Sequence, residues 1–182
     1  MRNKNQFLKT PDEKTLTLLI GIPGVGKSVL ANKLIKKDSV NRIIISSDNV
    51  RFDLLDYDET GIDHDSNIEP KVWGIIKNQI KEALLNPNIK ECIMDSTNIR
   101  TSGREKFIQM AKDLGIKTRG IVLYASFMET KNRNRNRERE VPESIIDTFY
   151  KKFQHPKKEE FDELFHIGSK RKFEKWTKIE KF

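Results

Sequence analysis

"GIPGVGKS", Gly21–Ser28, follows the apolar run "TLTLLI" and precedes "VLANKLIKK", whose apolar residues recur at helical spacing. The eight residues fit G-x-x-x-x-G-K-[ST] in the strand-then-helix setting that this motif requires. Gly21, Gly24 and Gly26 let the backbone turn its N–H groups inward, and the positive end of the following helix completes a concave nest for phosphates. Lys27 supplies a point charge for the β and γ phosphates, and Ser28 offers its hydroxyl to Mg²⁺. The whole stretch from Gly21 through Val25 to Val29 is therefore the candidate binding segment for ATP.

Around this segment, strand-like runs alternate with helix-period segments. Leu16–Ile20 precedes a helix over Ser28–Lys37, Arg42–Ile45 precedes one over Asn49–Leu55, and Pro70–Leu85 leads into a strand at Glu91–Met94. Thr101–Leu114 then leads into Thr118–Tyr124. Continuous Ile, Leu and Val runs such as "RIII" and "GIVLY" are the mark of parallel strands buried on both faces. The expected architecture is α/β, a parallel sheet with helices on both faces, and its site belongs at the carboxyl ends of the strands. "DYDETGIDHDSNIEP", Asp56–Pro70, is acidic and rich in turn formers and reads as an exposed loop.

Bulk properties narrow the class further. The chain has 182 residues with a formal charge of +8, which suits one globular domain with polyanionic partners. We assign 1–14 to a polar N-terminal segment, 15–168 to the domain and 169–182 to a basic, aromatic tail. That tail, "SKRKFEKWTKIEKF", either tracks a nucleic-acid strand by charge and stacking or docks its aromatics on the domain. The single Cys92 allows neither a disulfide framework nor a cysteine metal site. His64, His155 and His166 lack ligand-like spacing. With no secretory leader or membrane span in the reading, the expectation is a soluble, cytoplasmic protein.

Three further stretches carry chemistry. "SSDNVR", Ser46–Arg51, follows a strand and is a good helix start, with Asp48 at the first turn and Arg51 one turn later. "CIMDSTN", Cys92–Asn98, ends a strand on Asp95, which suits either a carboxylate that orients a metal ion or a turn that caps the next helix. "KNRNRNRERE", Lys131–Glu140, places arginines at 133, 135, 137 and 139. On a helix, Arg133 and Arg137 share one side, while Arg135 and Arg139 share the opposite one. One pair can face an anionic site, and a cation on the developing charge is what phosphoryl transfer needs.

Taken together, "GIPGVGKS", "SSDNVR", "DSTN" ahead of a helix with Arg104, and "RNRNREREVP" ahead of "ESIIDTFYKKF" resemble the phage-type polynucleotide 5′-hydroxyl kinases. The resemblance runs from about Leu16 to Gly168, within the wider group of P-loop kinases. It implies a P-loop kinase fold with an Arg-rich helical lid, using ATP and Mg²⁺. It further implies transfer of the γ-phosphate to the 5′-hydroxyl of DNA or RNA. On the matching positions, Asp48 is the general base and Arg51 clamps the acceptor phosphate. Lys27 and a lid arginine, Arg137 first and Arg133 second, neutralise the transferred phosphate. Thr97 and Asn98 line the acceptor side, and Ser28 and Asp95 serve the metal. A D-x-D-G-T phosphatase signature does not follow, so any role in nucleic acid repair would be kinase only. The same machinery serves other acceptors: a small metabolite, a serine on tRNA, or a hydroxymethylated base in DNA. A third reading is an ATP-dependent switch that docks on nucleic acid without catalysis.

Overall fold

In the computed structural model, residues 6–54, 68–136, 140–171 and 173–174 are described. Residues 55–67, 137–139 and 172 and the tail beyond Glu174 lie outside them, and with them most of the acidic stretch, Arg137 and Arg139.

Thr15–Ile20 forms β1 and leads through the glycine loop into α1, Lys27–Lys37. β2, Arg42–Ser46, runs directly into α2, Ser47–Leu54. α3, Glu69–Leu85, leads to β3, Glu91–Asp95, and α4, Thr101–Asp113, leads to β4, Lys117–Leu123. Then come α5, Phe127–Arg135, α6, Glu143–Lys151, and β5, Glu163–Ile167.

The five strands are parallel, in the order β2-β3-β1-β4-β5. The chain moves one way across the sheet from β1 to β2 and the other way from β2 through β3 to β4. Right-handed crossovers therefore put α1 on one face and α3 and α4 on the other, where these two helices touch. The adjacent strands β1 and β3 send their following helices, α1 and α4, to opposite faces, so a crevice opens between their carboxyl ends, the position where such sheets bind ligands.

The core follows from the sequence pattern. β1 is buried along its full length, and Ile93, Met94, Ile121 and Val122 continue the layer. Val72, Ile76, Ile80 and Ala83 form the inward stripe of α3, at spacings of three and four. Cys92 lies in this core, and burial pushes its thiol up to about 12, which makes it a packing residue rather than a nucleophile. Among the described residues, no helix is long and apolar enough to cross a membrane.

One element differs from the expectation. β5 was not anticipated: "ELFHI" mixes polar and apolar residues, because an edge strand pairs on one side and is only partly buried. Of the arginine run, Arg133 and Arg135 lie in the last turns of α5, which ends at Arg135, while Arg137 and Arg139 lie outside the described residues.

Candidate active site at the carboxyl end of the sheet

Parallel register brings the predicted segments to one row. Ser46 of β2 pairs with Asp95 of β3, Asp95 pairs with Leu19 of β1, and Leu19 pairs with Ile121 of β4. Each of the first three strands thus hands over to a functional loop at the same height.

The glycine loop is anchored at its start, where the Gly21 N–H donates to the Thr97 carbonyl at 3.0 Å. Gly24 adopts φ +80°, and a Cβ placed there would sit 3.0 Å from the Thr130 carbonyl oxygen. Backbone conformation and the close approach of α5 both demand glycine at this position. Lys27 is buried, and its Nζ donates to the Ile22 carbonyl at 3.0 Å, so the ammonium lies folded over the loop it would serve. Ser28 and Val29 open α1 on its exposed side.

Asp48 lies in the first turn of α2 with its side chain 63% exposed. Arg51, one turn on, is nearly buried. Its Nη1 donates to Asp48 Oδ1 at 3.1 Å, while Nε and Nη2 donate to the two oxygens of Glu69 at 2.7 and 3.1 Å. The Trp73 indole N–H holds the same carboxylate at 2.9 Å, and its ring lies 5.8 Å from the guanidinium carbon. Asp48 and Arg51 are therefore in contact, and Arg51 is also fork-bound to Glu69. Two of its five N–H groups have no partner among the described residues. Glu69 and Trp73 were not legible beforehand: Glu69 is 18 positions from Arg51, and no local spacing connects them.

The end of β3 is fastened to both neighbours. Ser47 donates to Ser96 across the sheet top at 3.2 Å, which sets the start of α2 beside Asp95. Asn98 stands at φ +48° and its Nδ2 donates to the Leu19 carbonyl at 2.8 Å, so this predicted acceptor residue is committed to the loop that carries it. Thr97 is half-buried, with its carbonyl on Gly21. Arg104 is fully buried, paired with Glu160 at 2.7 Å and bonded to the Asn98 carbonyl at 3.0 Å; its role is to hold the loop.

The lid meets this assembly from above. Ser126 caps α5, accepting from the Glu129 N–H at 3.3 Å, while the Glu129 carboxylate accepts from the Ser126 N–H at 2.9 Å. Phe127, Thr130 and Asn134 form its buried stripe. Arg133 Nη1 reaches the Val25 carbonyl of the glycine loop at 3.2 Å, whereas Arg135 points away to Glu143 at 2.7 Å. The first two arginines of the run thus separate into one that faces the loop and one that faces solvent. Arg137, the first choice from the resemblance, lies outside the described residues.

Beside Arg133, a cavity of about 350 Å³ is lined by Tyr124, Ala125, Ser126, Glu129, Gly168 and Ser169. It is of the size that binds small ligands. Gly168 permits it: at φ +86°, any Cβ there would fall 2.0 Å from the Tyr124 carbonyl oxygen. Neither the strand exit at Tyr124 nor the turn at Gly168 carried a motif.

For Mg²⁺, no group of three or more His, Cys, Asp or Glu side chains converges among the described residues. This fits the ion, which usually takes one or two protein oxygens and completes its shell with water and substrate phosphates. Ser28, in the first turn of α1, and Asp95, at the end of β3, carry oxygens of that kind.

A family model described as an AAA domain matches residues 16–156. The chain is 30% identical over 144 residues to L-seryl-tRNA(Sec) kinase of Methanococcus maripaludis, which covers 78% of this chain and 53% of that protein. It therefore spans about half the length of that relative. A fungal RNA kinase superposes with a TM-score of 0.62 at 17% identity, over 87% of this chain and 39% of that one. A gluconokinase from Sinorhizobium meliloti 1021 superposes with a TM-score of 0.59 at 16% identity, over 88% of this chain and 85% of that one. The fold is that of the P-loop kinases, and the chain belongs to the AAA domain family.

Proposed function

From that membership, we propose that this chain is an ATP-dependent kinase whose acceptor is a hydroxyl carried on nucleic acid, with the 5′-hydroxyl of a polynucleotide as the leading case. The observation that carries this reading is the contact of Arg133 with the Val25 carbonyl, which sets a lid cation on the phosphate loop. Asp48 stands just beyond the end of β2, two strands from β1, as an exposed carboxylate. Donor and acceptor machinery thus face each other across the sheet top.

The chemistry follows from the residues. The triphosphate lies along the N–H groups of Gly24, Gly26 and Lys27, and its purine enters the cavity by Tyr124 and Ser126. Ser28 and Asp95 would hold Mg²⁺, which would supply positive charge against the transferred phosphate. Asp48 accepts the proton of the acceptor hydroxyl as its oxygen attacks the γ-phosphorus. The bond from that phosphorus to the β–γ bridging oxygen breaks, and ADP leaves. Lys27 and Arg133, with Arg137 as a second lid cation, hold the negative charge spread over the equatorial oxygens. Arg51 orients Asp48 and turns its remaining N–H groups to the acceptor's neighbouring phosphate.

A second acceptor, a serine esterified to tRNA, is favoured by the identity with L-seryl-tRNA(Sec) kinase. Both readings keep a polyanionic acceptor, in keeping with the +8 charge.

The test is transfer of labelled γ-phosphate from ATP with Mg²⁺ to a 5′-hydroxyl oligonucleotide, to seryl-tRNA and to gluconate. Label on the oligonucleotide supports the leading reading, label on seryl-tRNA the second. Transfer to gluconate alone overturns both.

A further inference from the structure

The cavity beside Arg133 has a wall that the family match does not reach. That match ends at residue 156, whereas Gly168 and Ser169, which line the cavity together with Tyr124 and Ser126, follow β5. Beyond them the chain turns as helix, with the Phe173 N–H donating to the Ser169 carbonyl at 3.2 Å and Lys170 paired with Glu174 at 3.5 Å. Phe173 is only 1% exposed. The basic, aromatic tail, which the sequence leaves free to follow a nucleic acid or to dock on the domain, thus begins by docking.

Where it docks decides what it can do. Phe173 stacks on Tyr150, with ring centroids 4.5 Å apart and 21° between the planes, and meets Tyr124 edge-on at 5.5 Å. Tyr150 in turn donates its hydroxyl to the Ala125 carbonyl at 2.8 Å. Tyr124 and Ala125 belong to the cavity wall, so one buried ring supports them while the turn that bears it lays Gly168 and Ser169 along the same cavity. Phe153 at 4.9 Å and His155 at 5.7 Å complete the contacts of the ring, and an aromatic side chain buried among others is a strong anchor for so short a segment. The glycine loop is built for phosphate. This cluster, which contains none of its residues, shapes the space left for the rest of the nucleotide.

We propose that the start of the tail is a wall of the donor-nucleotide site, with Phe173 as the positioning residue that holds Gly168 and Ser169 where the purine of ATP lies. The inference rests on the kinase reading above, which seats the purine in this cavity. A wall backed by aromatic rings grips a planar base and adds nothing to the binding of phosphate. The described part of the tail therefore serves selection of the donor rather than capture of the acceptor.

The experiment compares the affinities of ADP and of ribose 5-diphosphate, which is ADP without its purine, by calorimetry in the full chain and in its Phe173→Leu and Ser169→Leu variants. Phe173→Leu keeps an apolar anchor but loses the ring. Ser169→Leu leaves the aromatic cluster intact and sets a larger side chain at the cavity wall, so the test does not depend on one variant that could fail to fold. Each should weaken ADP about 10- to 100-fold, the scale of a misfit of a methylene group or two in a pocket. Ribose 5-diphosphate should stay within about twofold, so the preference of the wild type for ADP collapses. A merely structural role for Phe173 lowers both affinities by the same factor, and that result overturns the proposal. Unchanged ADP affinity in either variant overturns it as well, as does a wild type that binds the two ligands equally. A higher KM for the acceptor oligonucleotide with ADP affinity unchanged assigns the tail to the acceptor instead. No arm requires transfer: if no hydroxyl acceptor is phosphorylated while the preference for ADP collapses as stated, the kinase reading falls and the nucleotide wall stands.

Discussion

The two ends of the sheet use the same residue types to opposite effect. At the amino end, Glu91 is fully buried and receives Arg42 Nε at 2.6 Å, the Thr17 hydroxyl at 2.6 Å and Arg119 Nη1 at 3.3 Å. Arg42 donates further to the Leu34 and Leu8 carbonyls, and Arg119 to Glu163. Every charge there is answered by another, so that end can only hold the strands in register. At the carboxyl end, Asp48 is mostly exposed, Ser28 is exposed, and Arg133 rests on a single backbone carbonyl. Charges answered only in part are what a ligand can complete. The comparison separates a network for stability from one arranged for chemistry.

Substitutions at the two ends should therefore fail in different ways. The largest effect is expected from Arg133→Ala/Arg137→Ala, which should lower kcat by about 10³–10⁵ with an unchanged melting temperature. A fall in melting temperature that matched the loss of rate would break the comparison. Asp48→Asn should lower turnover by about 10²–10⁴ and spare ADP affinity measured by calorimetry. Turnover at the wild-type level would remove it as base. At the other end, Glu91→Ala leaves Arg42 buried without its carboxylate and should cost about 3–5 kcal/mol in urea unfolding, with kcat per folded molecule preserved. A selective loss of kcat would place Glu91 in the chemistry after all.

The smallest effect concerns the aromatic cluster below the cavity. His155 accepts or donates at Tyr124 Oη at 3.1 Å, and His166 stacks on the same ring. Burial, followed by the charge of Lys170, holds both imidazoles below the usual histidine range in the folded state. The unfolded chain then binds more protons as pH falls past about 6.5, so stability is complete above that pH and declines below it. The decline levels off once pH passes the folded values. A urea midpoint lower at pH 5.5 than at pH 7.5, with a smaller difference in His155→Gln, is the expected result; a midpoint that rises toward pH 5.5 reverses the sign and refutes it.

Much of the site was legible because its parts lie within single βα units. The Gly21–Ser28 spacing, the Asp48-to-Arg51 turn and the strand-end Asp95 each depend on a few consecutive residues and a local period. Arg133 was legible only as one of four arginines; its partner, Val25, lies 108 positions earlier, and no periodicity links them. The surroundings of Asn98 show the same limit: its amide donates to the Leu19 carbonyl of β1, 79 positions earlier, which no local spacing announces. β5 escaped notice because an edge strand carries neither a continuous apolar run nor clean alternation.

By itself, the sequence determined the α/β class, the phosphate loop and the residue types that phosphoryl transfer needs, since hydrophobic period and motif spacing are properties of neighbours along the chain. Only the tertiary structure decided which arginine meets that loop, that Glu69 and Trp73 hold Arg51 beside Asp48, and that Phe173 packs against Tyr124. Those choices depend on strand register and on how α5 seats against Gly24, and both are set by packing between segments far apart in the chain.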